Sequence, residues 1–351
     1  MTTNVDTPGE QNAPSRPGGG SGRRSGLSRI LNARTAEASL LPFAFVVVIA
    51  VFGIMRPDTF FQWSNFTSIF GLNAPTLVLV MALLIPLTNG DLDLSLAELS
   101  GMTMILVGWL NVNHHWGIVP AILVAIAIGT LCGAITGFLI VRFDVNPLII
   151  TLAMGSVYDG IAFWLPDQQS IPGISPNLAQ WTVLHHILGI PLDFWYGIVI
   201  MLIMFYVLTF TPFGQRSLFV GQSREVARLS GFKVSSTRFW AFVVGGFIAA
   251  IAGVLTDGVL GTATPQNQGP LLLSIYAAAF LGLTTIQPGR FNAVGAGVSV
   301  FFLAVVVNGM NLLGAQTYVQ QLFYGVILVV AVVTSRVINR RRAASAAKAT
   351  T

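Results

Sequence analysis

Long apolar runs separated by short polar connections fill the chain from residue 38 to residue 335. Each run is 17 to 25 residues long, and apolar and polar positions do not alternate within it. A helix that crosses the hydrocarbon core of a bilayer needs about 20 apolar residues. The pattern therefore predicts an all-α polytopic membrane protein with about ten transmembrane helices. The predicted spans are residues 38–55, 67–88, 94–112, 117–141, 146–165, 193–211, 238–260, 270–286, 292–312 and 318–335.

Composition excludes the main alternatives to a helical membrane protein. Only 9% of the 351 residues are charged and 54% are hydrophobic, whereas soluble domains carry about 25% charged residues. Strands of a membrane barrel would alternate over about ten residues, and these runs do not. Cys132 is the only cysteine, which excludes an internal disulfide. We expect no metal site and no cofactor.

The chain divides by composition into three parts. Residues 1–36 are rich in Gly, Ser, Pro and Arg, a composition that predicts a disordered cytoplasmic tail. Residues 37–336 hold all the apolar runs and form the predicted transmembrane domain. Residues 337–351 form a basic tail, also predicted to be cytoplasmic.

The positions of Lys and Arg predict the orientation of the chain. With ten spans and a cytoplasmic N-terminus, 17 of the 18 cationic residues lie on one side, and only Arg56 lies on the other. Cytoplasmic loops of membrane proteins carry an excess of Lys and Arg, so both termini are predicted to be cytoplasmic. The Lys and Arg residues that flank the spans on this side account for the net charge of +5. We expect the lipid bilayer, and no nucleic acid, as the partner of this charge.

The longest predicted inside connection, residues 212–237, contains a short amphipathic pattern. Ser223 is a suitable N-cap and Gly231 a suitable end for a helix of two turns. The pattern places Val226 and Leu229 on one face and charged residues on the other. Two interpretations remain open: a helix lying on the bilayer surface, or a coupling helix that enters a groove on a separate ATPase. The candidate coupling residues are Gly221, Arg224, Glu225, Ala227, Arg228, Ser230 and Gly231.

Acidic residues beside apolar spans are the candidates for a translocation path. Carboxylates are costly in contact with lipid and often mark a path through a membrane protein. A helix interrupted at Gly90 would border such a path. The alternatives are capping of the next helix in a cytoplasmic turn, and acidic side chains lying at headgroup level. The candidate path residues are Asp91, Asp93, Ser95, Asn146, Asp159 and Asp257.

Missing motifs limit the chemistry of the chain. It lacks the G-x-x-x-x-G-K-[ST] phosphate loop, and its two lysines, Lys233 and Lys348, have no such context. It also lacks the G-x-S-x-G and H-E-x-x-H motifs of hydrolases and zinc proteases. We therefore expect a transport subunit rather than an enzyme, with any ATPase site on another chain. The longest outside connection, residues 166–192, carries no Lys or Arg and is a candidate docking surface for a carrier outside.

An ordered set of motifs between about residues 40 and 335 resembles the ribose-type permease subunits of bacterial monosaccharide ABC importers. The matching segments are Gly90 to Ser95, Asn146 to Leu152, Ile171 to Gly173, Phe213 to Gly231, Leu281 to Thr284, and Asn308 to Gly314. The resemblance implies a permease in the bacterial inner membrane that moves a monosaccharide or related small polar solute. It further implies cytoplasmic ABC ATPase subunits, an extracytoplasmic sugar-binding protein, and a second permease copy or paralogue.

The chain departs from the family pattern at particular positions. Asp91 stands where the family usually has a second glycine, Glu98 adds a charge, and Leu283 replaces a glycine. The sugar is therefore left open, and permeases for branched-chain amino acids or autoinducer remain alternatives. An ion-coupled secondary transporter is disfavoured because the middles of the predicted spans are nearly free of charge.

Overall fold

The computed structural model describes residues 41–266, 268–287 and 289–350. The predicted N-terminal tail, residues 1–36, lies outside the described residues. The helices are α1 (Leu41–Met55), α2 (Pro57–Phe60), α3 (Trp63–Leu72), α4 (Ala74–Thr88), α5 (Leu96–Gly108), α6 (Ile118–Phe143), α7 (Pro147–Trp164), α8 (Pro176–Ala179), α9 (Leu192–Phe210), α10 (Pro212–Gln222), α11 (Arg224–Leu229), α12 (Val234–Leu260), α13 (Gly269–Gly282), α14 (Ala293–Leu312) and α15 (Thr317–Thr350). Single π-helical turns cover Trp109–Asn113 and Gln180–Leu184. The helix α15 continues through most of the predicted basic tail.

The predicted all-α membrane fold is confirmed. In the described part of the chain, seven helices are long and apolar enough to cross a membrane. They are Trp63–Thr88, Ile118–Phe143, Pro147–Trp164, Leu192–Phe210, Val234–Leu260, Ala293–Leu312 and Thr317–Ser335. The three other predicted spans coincide with the shorter helices α1, α5 and α13. Ten crossings therefore stay a prediction.

The helix α4 forms the centre of the bundle. It is apolar on every side, as expected for a helix with no face toward water, and all its residues except Thr76 are buried. The helices α5, α9, α12, α13 and α14 pack around it. Its end is followed by Gly90, whose φ of 77° turns the chain out of the helix.

Small residues let α6 and α12 approach closely. Gly129, Gly133 and Gly137 recur every fourth residue along one face of α6, and Gly246 faces them from α12. A Cβ atom added at Gly133 would lie 2.5 Å from the carbonyl oxygen of Phe242. Helices in membranes use such small residues to bring backbones together, since burial of apolar side chains from lipid gains little.

Short elements lie in the two longest connections, for which the sequence predicted only the helix between Ser223 and Gly231. In the connection 166–192, the strand β1 (Ile171–Pro172) pairs antiparallel with β4 (Thr262–Ala263). The strands β2 (His186–Ile187) and β3 (Ile190–Pro191) form a hairpin. In the connection 212–237, Pro212 follows the end of α9. It also starts α10, because proline suits the first position of a helix, where no N–H bond is needed.

Replacing Gly133 by alanine should force α6 and α12 apart and lower stability by about 1–3 kcal/mol. The same change at Gly160, whose added Cβ would meet nothing within 4 Å, should leave stability unchanged or slightly raised. Thermal unfolding of the purified protein in nanodiscs measures both. Equal midpoints for the two variants would contradict the close-packed helix pair.

Candidate functional site

The helix α11 forms where the sequence predicts it. The hydroxyl of Ser223 accepts a hydrogen bond from the backbone N–H of Val226 at 3.3 Å and caps the first turn. At the other end Gly231 has a φ of 83°, and its N–H donates to the carbonyl of Arg228. The predicted N-cap and terminating glycine are both confirmed. They make α11 a short, well-bounded element on the surface of the chain.

The two sides of α11 differ in what they contact. Ala227 is fully buried against the rest of the chain, whereas Val226 and Leu229 are 51% and 79% exposed. Glu225, Arg228 and Ser230 are exposed as well. The apolar pair of the predicted amphipathic pattern therefore points away from the protein. Arg224 is the charged residue of this helix that reaches inward.

Arg224 reaches Asp91, a fully buried carboxylate between α4 and α5. The Nη2 atom of Arg224 donates to Oδ1 of Asp91. Arg238, at the start of α12, donates to the same carboxylate from Nε at 2.8 Å and from Nη2 at 3.0 Å. The Arg238 side chain is 6% exposed and that of Arg224 44%. One buried carboxylate thus holds together α11, α12 and the segment after α4.

That segment, residues 89–95, is named here the helix break. Oδ1 of Asp93 accepts hydrogen bonds from the backbone N–H and the hydroxyl of Ser95, at 2.9 and 2.7 Å. The helix α5 begins directly afterwards at Leu96. The pKa of the Asp93 carboxyl is raised to about 6, mainly by burial. The hydrogen bonds from Ser95 oppose this rise, and the neighbouring Asp91 adds to it. Asp93 therefore orders the turn that leads into α5, whereas the N-cap residue Ser95 makes no side-chain capping hydrogen bond to this helix.

Backbone carbonyls of the helix break also bind two other helices. The hydroxyl of Tyr276 in α13 donates to the carbonyl of Asp93 at 3.0 Å. The hydroxyl of Thr151 in α7 lies 3.4 Å from the carbonyl of Leu92. The helix break therefore contacts α7 and α13 as well as the two arginines.

Gly221, at the end of α10, packs backbone to backbone against the helix break. An added Cβ atom there would collide with the carbonyl oxygen of Thr88 and approach the backbone of Asn89. No side chain larger than hydrogen fits without a shift of the main chain. The end of α10 thus packs closely against the end of α4 at Gly221. The helix α11 is bound to the helix break by the ion pair of Arg224 with Asp91.

The six candidate path residues do not form one cluster. Asp91, Asp93 and Ser95 are buried in the helix break. Asn146 caps α7, where its side chain accepts from the N–H of Leu148 at 3.0 Å. It lines a cavity of about 480 Å³ together with the helix break, Asp144 and Arg224.

The other two candidates lie near the opposite ends of their helices. Asp159 is partly exposed near the end of α7, and Asp257 is fully buried near the end of α12. Neither carboxylate oxygen of Asp257 meets a hydrogen-bond partner among the described residues. The path roles of all six stay predictions.

Sequence reasoning missed three partners of the helix break: Arg238, Tyr276 and Thr151. Arg238 entered only as one of the cationic residues that indicate orientation, because an arginine at the edge of an apolar span is typical of a cytoplasmic flank. Tyr276 and Thr151 donate to backbone carbonyls, and no side-chain pattern announces such contacts.

Replacing Asp91 by alanine should destabilise the protein by about 3–5 kcal/mol, because the buried Arg238 would lose its counter-charge. Replacing Arg238 by methionine in the same chain should recover part of the loss. Thermal unfolding and the yield of folded protein in detergent measure both effects. Asp58→Ala, which removes an exposed carboxylate, is the matched control. An Asp91→Ala protein as stable as that control would refute the role assigned to the ion pair.

Several characterised bacterial permeases are similar to the chain over most of its length. The D-allose transport system permease protein of Escherichia coli is 25% identical, over 85% of this chain and 91% of its own. The ribose import permease protein of Bacillus subtilis is 29% identical, over 83% and 90%. The L-arabinose ABC transporter permease protein of Azospirillum brasilense is 29% identical, over 91% and 92%. No solved structure matches the chain.

A sequence family described as "Branched-chain amino acid transport system / permease component" matches residues 65–332. The match runs from α3 into α15 and includes the helix break and α11. A permease component implies further components of an ABC transport system, such as an ATPase and a binding protein, on other chains. The chain belongs to this family of multi-pass bacterial transport permeases.

Proposed function

We propose that the chain is the membrane-spanning permease subunit of an ABC importer for a monosaccharide or related small polar solute. The observation that carries this function is the set of full-length relatives named for D-allose, ribose and L-arabinose. The family description names branched-chain amino acids instead, so that substrate class is the alternative. Separate ATPase subunits supply the energy, and a binding protein outside delivers the solute.

In this proposal the chain crosses the inner membrane ten times with both termini in the cytoplasm. Every predicted span coincides with an apolar helix of the described chain. The orientation rests on the 17 of 18 cationic residues that then lie on the cytoplasmic side. It puts α10, α11 and the helix break on the cytoplasmic face. The connection that contains β1 to β3 faces outside, where the binding protein docks.

The helix α11 is the proposed contact with the ATPase. Its exposed Val226 and Leu229 form an apolar tip suited to a groove on a partner, and the charged Glu225 and Arg228 border that tip. Helices that lie on a bilayer need a large apolar face to bind, and two apolar side chains on a helix of six residues supply little. We therefore favour docking to the ATPase over the bilayer-surface alternative.

Motion of α11 would pass to the membrane helices through the helix break. Arg224 joins α11 to Asp91, and the same segment binds α7 through Thr151 and α13 through Tyr276. Most of α7 is not covered by other parts of this chain. That face is available to a second permease copy or paralogue, which would form the path together with this subunit.

The function is tested by reconstituting the chain in proteoliposomes with its ABC ATPase and binding-protein partners. We expect ATP-dependent uptake of D-allose, ribose or L-arabinose to exceed L-leucine uptake at least ~tenfold, the discrimination that about 1.4 kcal/mol provides. Uptake of L-leucine alone would replace the sugar proposal by the amino-acid alternative. Uptake driven by an ion gradient without ATP would refute an ABC importer.

Replacing Arg224 by glutamine should uncouple ATP hydrolysis from transport. The Asp91–Arg238 pair stays intact, so the fold is retained, but α11 loses its bond to the helix break. Uptake should fall about tenfold, as expected for a lost charged hydrogen bond of about 1.5–3 kcal/mol, with ATP hydrolysis reduced far less. Arg224→Lys should restore part of the uptake.

The control for this variant is Arg216→Gln, which removes a cytoplasmic charge from an exposed side chain of α10 and should transport normally. Leu229→Glu should act differently, because a charge on the docking tip would prevent the ATPase from co-purifying. If Arg224→Gln transports as well as Arg216→Gln, the helix break does not transmit the motion.

A further inference from the structure

The helices on either side of two interruptions in the chain line one cavity: α4 and α5, and α12 and α13. The helices α4 and α5 are separated by the helix break with Gly90, and α12 and α13 are separated by residues 261–268 with Gly261. Both glycines have positive φ, 77° and 66°. Interrupted helices in corresponding positions of a transporter often border its substrate site.

The helices that flank the two interruptions contact each other. Tyr276 of α13 donates to the carbonyl of Asp93 in the helix break. The backbone N–H of Gln268, just before α13, lies close to the carboxylate of Glu98 in α5. The side chain of Gln268 then lies over Gly101, where an added Cβ atom would be 2.9 Å from Nε2. A glycine at position 101 is what leaves room for this amide.

The cavity beside that contact has a volume of about 220 Å³ and lies between α4, α5, α12 and the start of α13. Its inner wall contains Ser100 and Gln268, which are only 4% and 7% exposed. Its rim is formed by the exposed residues Leu72, Leu260 and Gln266. In the proposed topology this rim faces outside, toward the binding protein.

The two inner polar groups are unusual because they have no protein partner. Among the described residues, neither the Ser100 hydroxyl nor the Gln268 side-chain amide makes a hydrogen bond. Nearby Thr103 and Thr256 donate their hydroxyls to carbonyls of their own helices, at 2.9 Å in each case. Both side chains line the cavity, so a ligand there could form hydrogen bonds with both without displacing a protein partner.

We propose that this cavity binds one monosaccharide within a single permease subunit, a refinement that rests on the proposed function. A hydroxyl and an amide each donate and accept hydrogen bonds, as sugar hydroxyls require. Every residue that lines the cavity is uncharged, so the ammonium and carboxylate of an amino acid would find no counter-charge. The volume is below the roughly 300–1,000 Å³ of sites for drug-sized molecules, which suits a ligand of about a dozen heavy atoms.

The single native cysteine allows a direct test on the full-length protein in nanodiscs. In a Cys132→Ser background, Ser100→Cys should react with a small water-soluble thiol reagent through the rim. Saturating D-allose, ribose or L-arabinose should slow this reaction at least ~fivefold, whereas L-leucine should not, because it lacks a counter-charge in the cavity. Ser170→Cys, exposed in the connection 166–192 on the proposed outer face, should react at the same rate with and without sugar.

A second measurement does not depend on cysteine chemistry. Saturation-transfer NMR should detect contact between the sugar protons and the wild-type protein. Ser100→Ala and Gln268→Leu should each weaken the signal about fivefold, the effect of one lost hydrogen bond. Ser274→Ala is the matched control, because Ser274 does not line the cavity and its hydroxyl donates to the carbonyl of Leu271. Ser100→Leu, which fills the cavity, should abolish the signal while the protein elutes as folded.

The outcomes separate the cavity from the function. If no sugar slows the labelling of Ser100→Cys, or if Ser100→Leu keeps the full NMR signal, the cavity holds only water and the proposal is overturned. Sugar uptake by the reconstituted transporter that is equal in wild type and Ser100→Leu would also overturn it, with the proposed function intact. Sugar binding at Ser100 without ATP-dependent uptake would keep the site and refute the function.

Discussion

The arrangement of the cytoplasmic end depends on the buried negative charge of Asp91. A carboxylate that loses all contact with water needs cationic partners, and removing one partner of such a pair leaves an uncompensated charge. Arg238 gives two hydrogen bonds and Arg224 a third. Because these arginines belong to α12 and α11, neither helix can move far from the helix break without exposing or orphaning a charge.

The two ion pairs at Asp91 differ in strength for a physical reason. Arg238 is buried and bidentate, so its attraction to Asp91 is screened little by water, whereas Arg224 is nearly half exposed. The contact of Gly221 with Thr88 adds a steric constraint that charge cannot replace. A force on α11 would therefore first strain the Arg224 bond and leave the Asp91–Arg238 pair in place. The helix break would stay attached to α12, and only its bond to Arg224 of α11 would change.

Local sequence signals predicted more of this molecule than long-range ones. Apolar length located a helix at every predicted span, and the Ser223 and Gly231 caps located α11, because hydrophobicity and capping act within a few residues. The partner of Asp91 in α12 is 147 residues away, and Tyr276 is 183 residues from Asp93. Such pairings depend on how the helices pack, and a single sequence does not encode that in a readable pattern. Pro212 was ambiguous because proline both follows one helix and starts the next.

The two polar regions of the interrupted helices differ in charge: the contacts of Asp91 are ionic, whereas the cavity at Ser100 and Gln268 is lined by neutral residues. At the proposed coupling end the contacts are ionic: Arg224 and Arg238 both donate to Asp91, and such bonds are specific in direction. The cavity at Ser100 and Gln268 uses neutral polar groups, and a few neutral hydrogen bonds hold a solute only weakly. Transport requires that a solute leave as readily as it enters, so an ionic site in this cavity would slow release. Strong discrimination between sugars then has to reside in the binding protein outside, which is consistent with relatives of similar length that are named for different pentoses and hexoses.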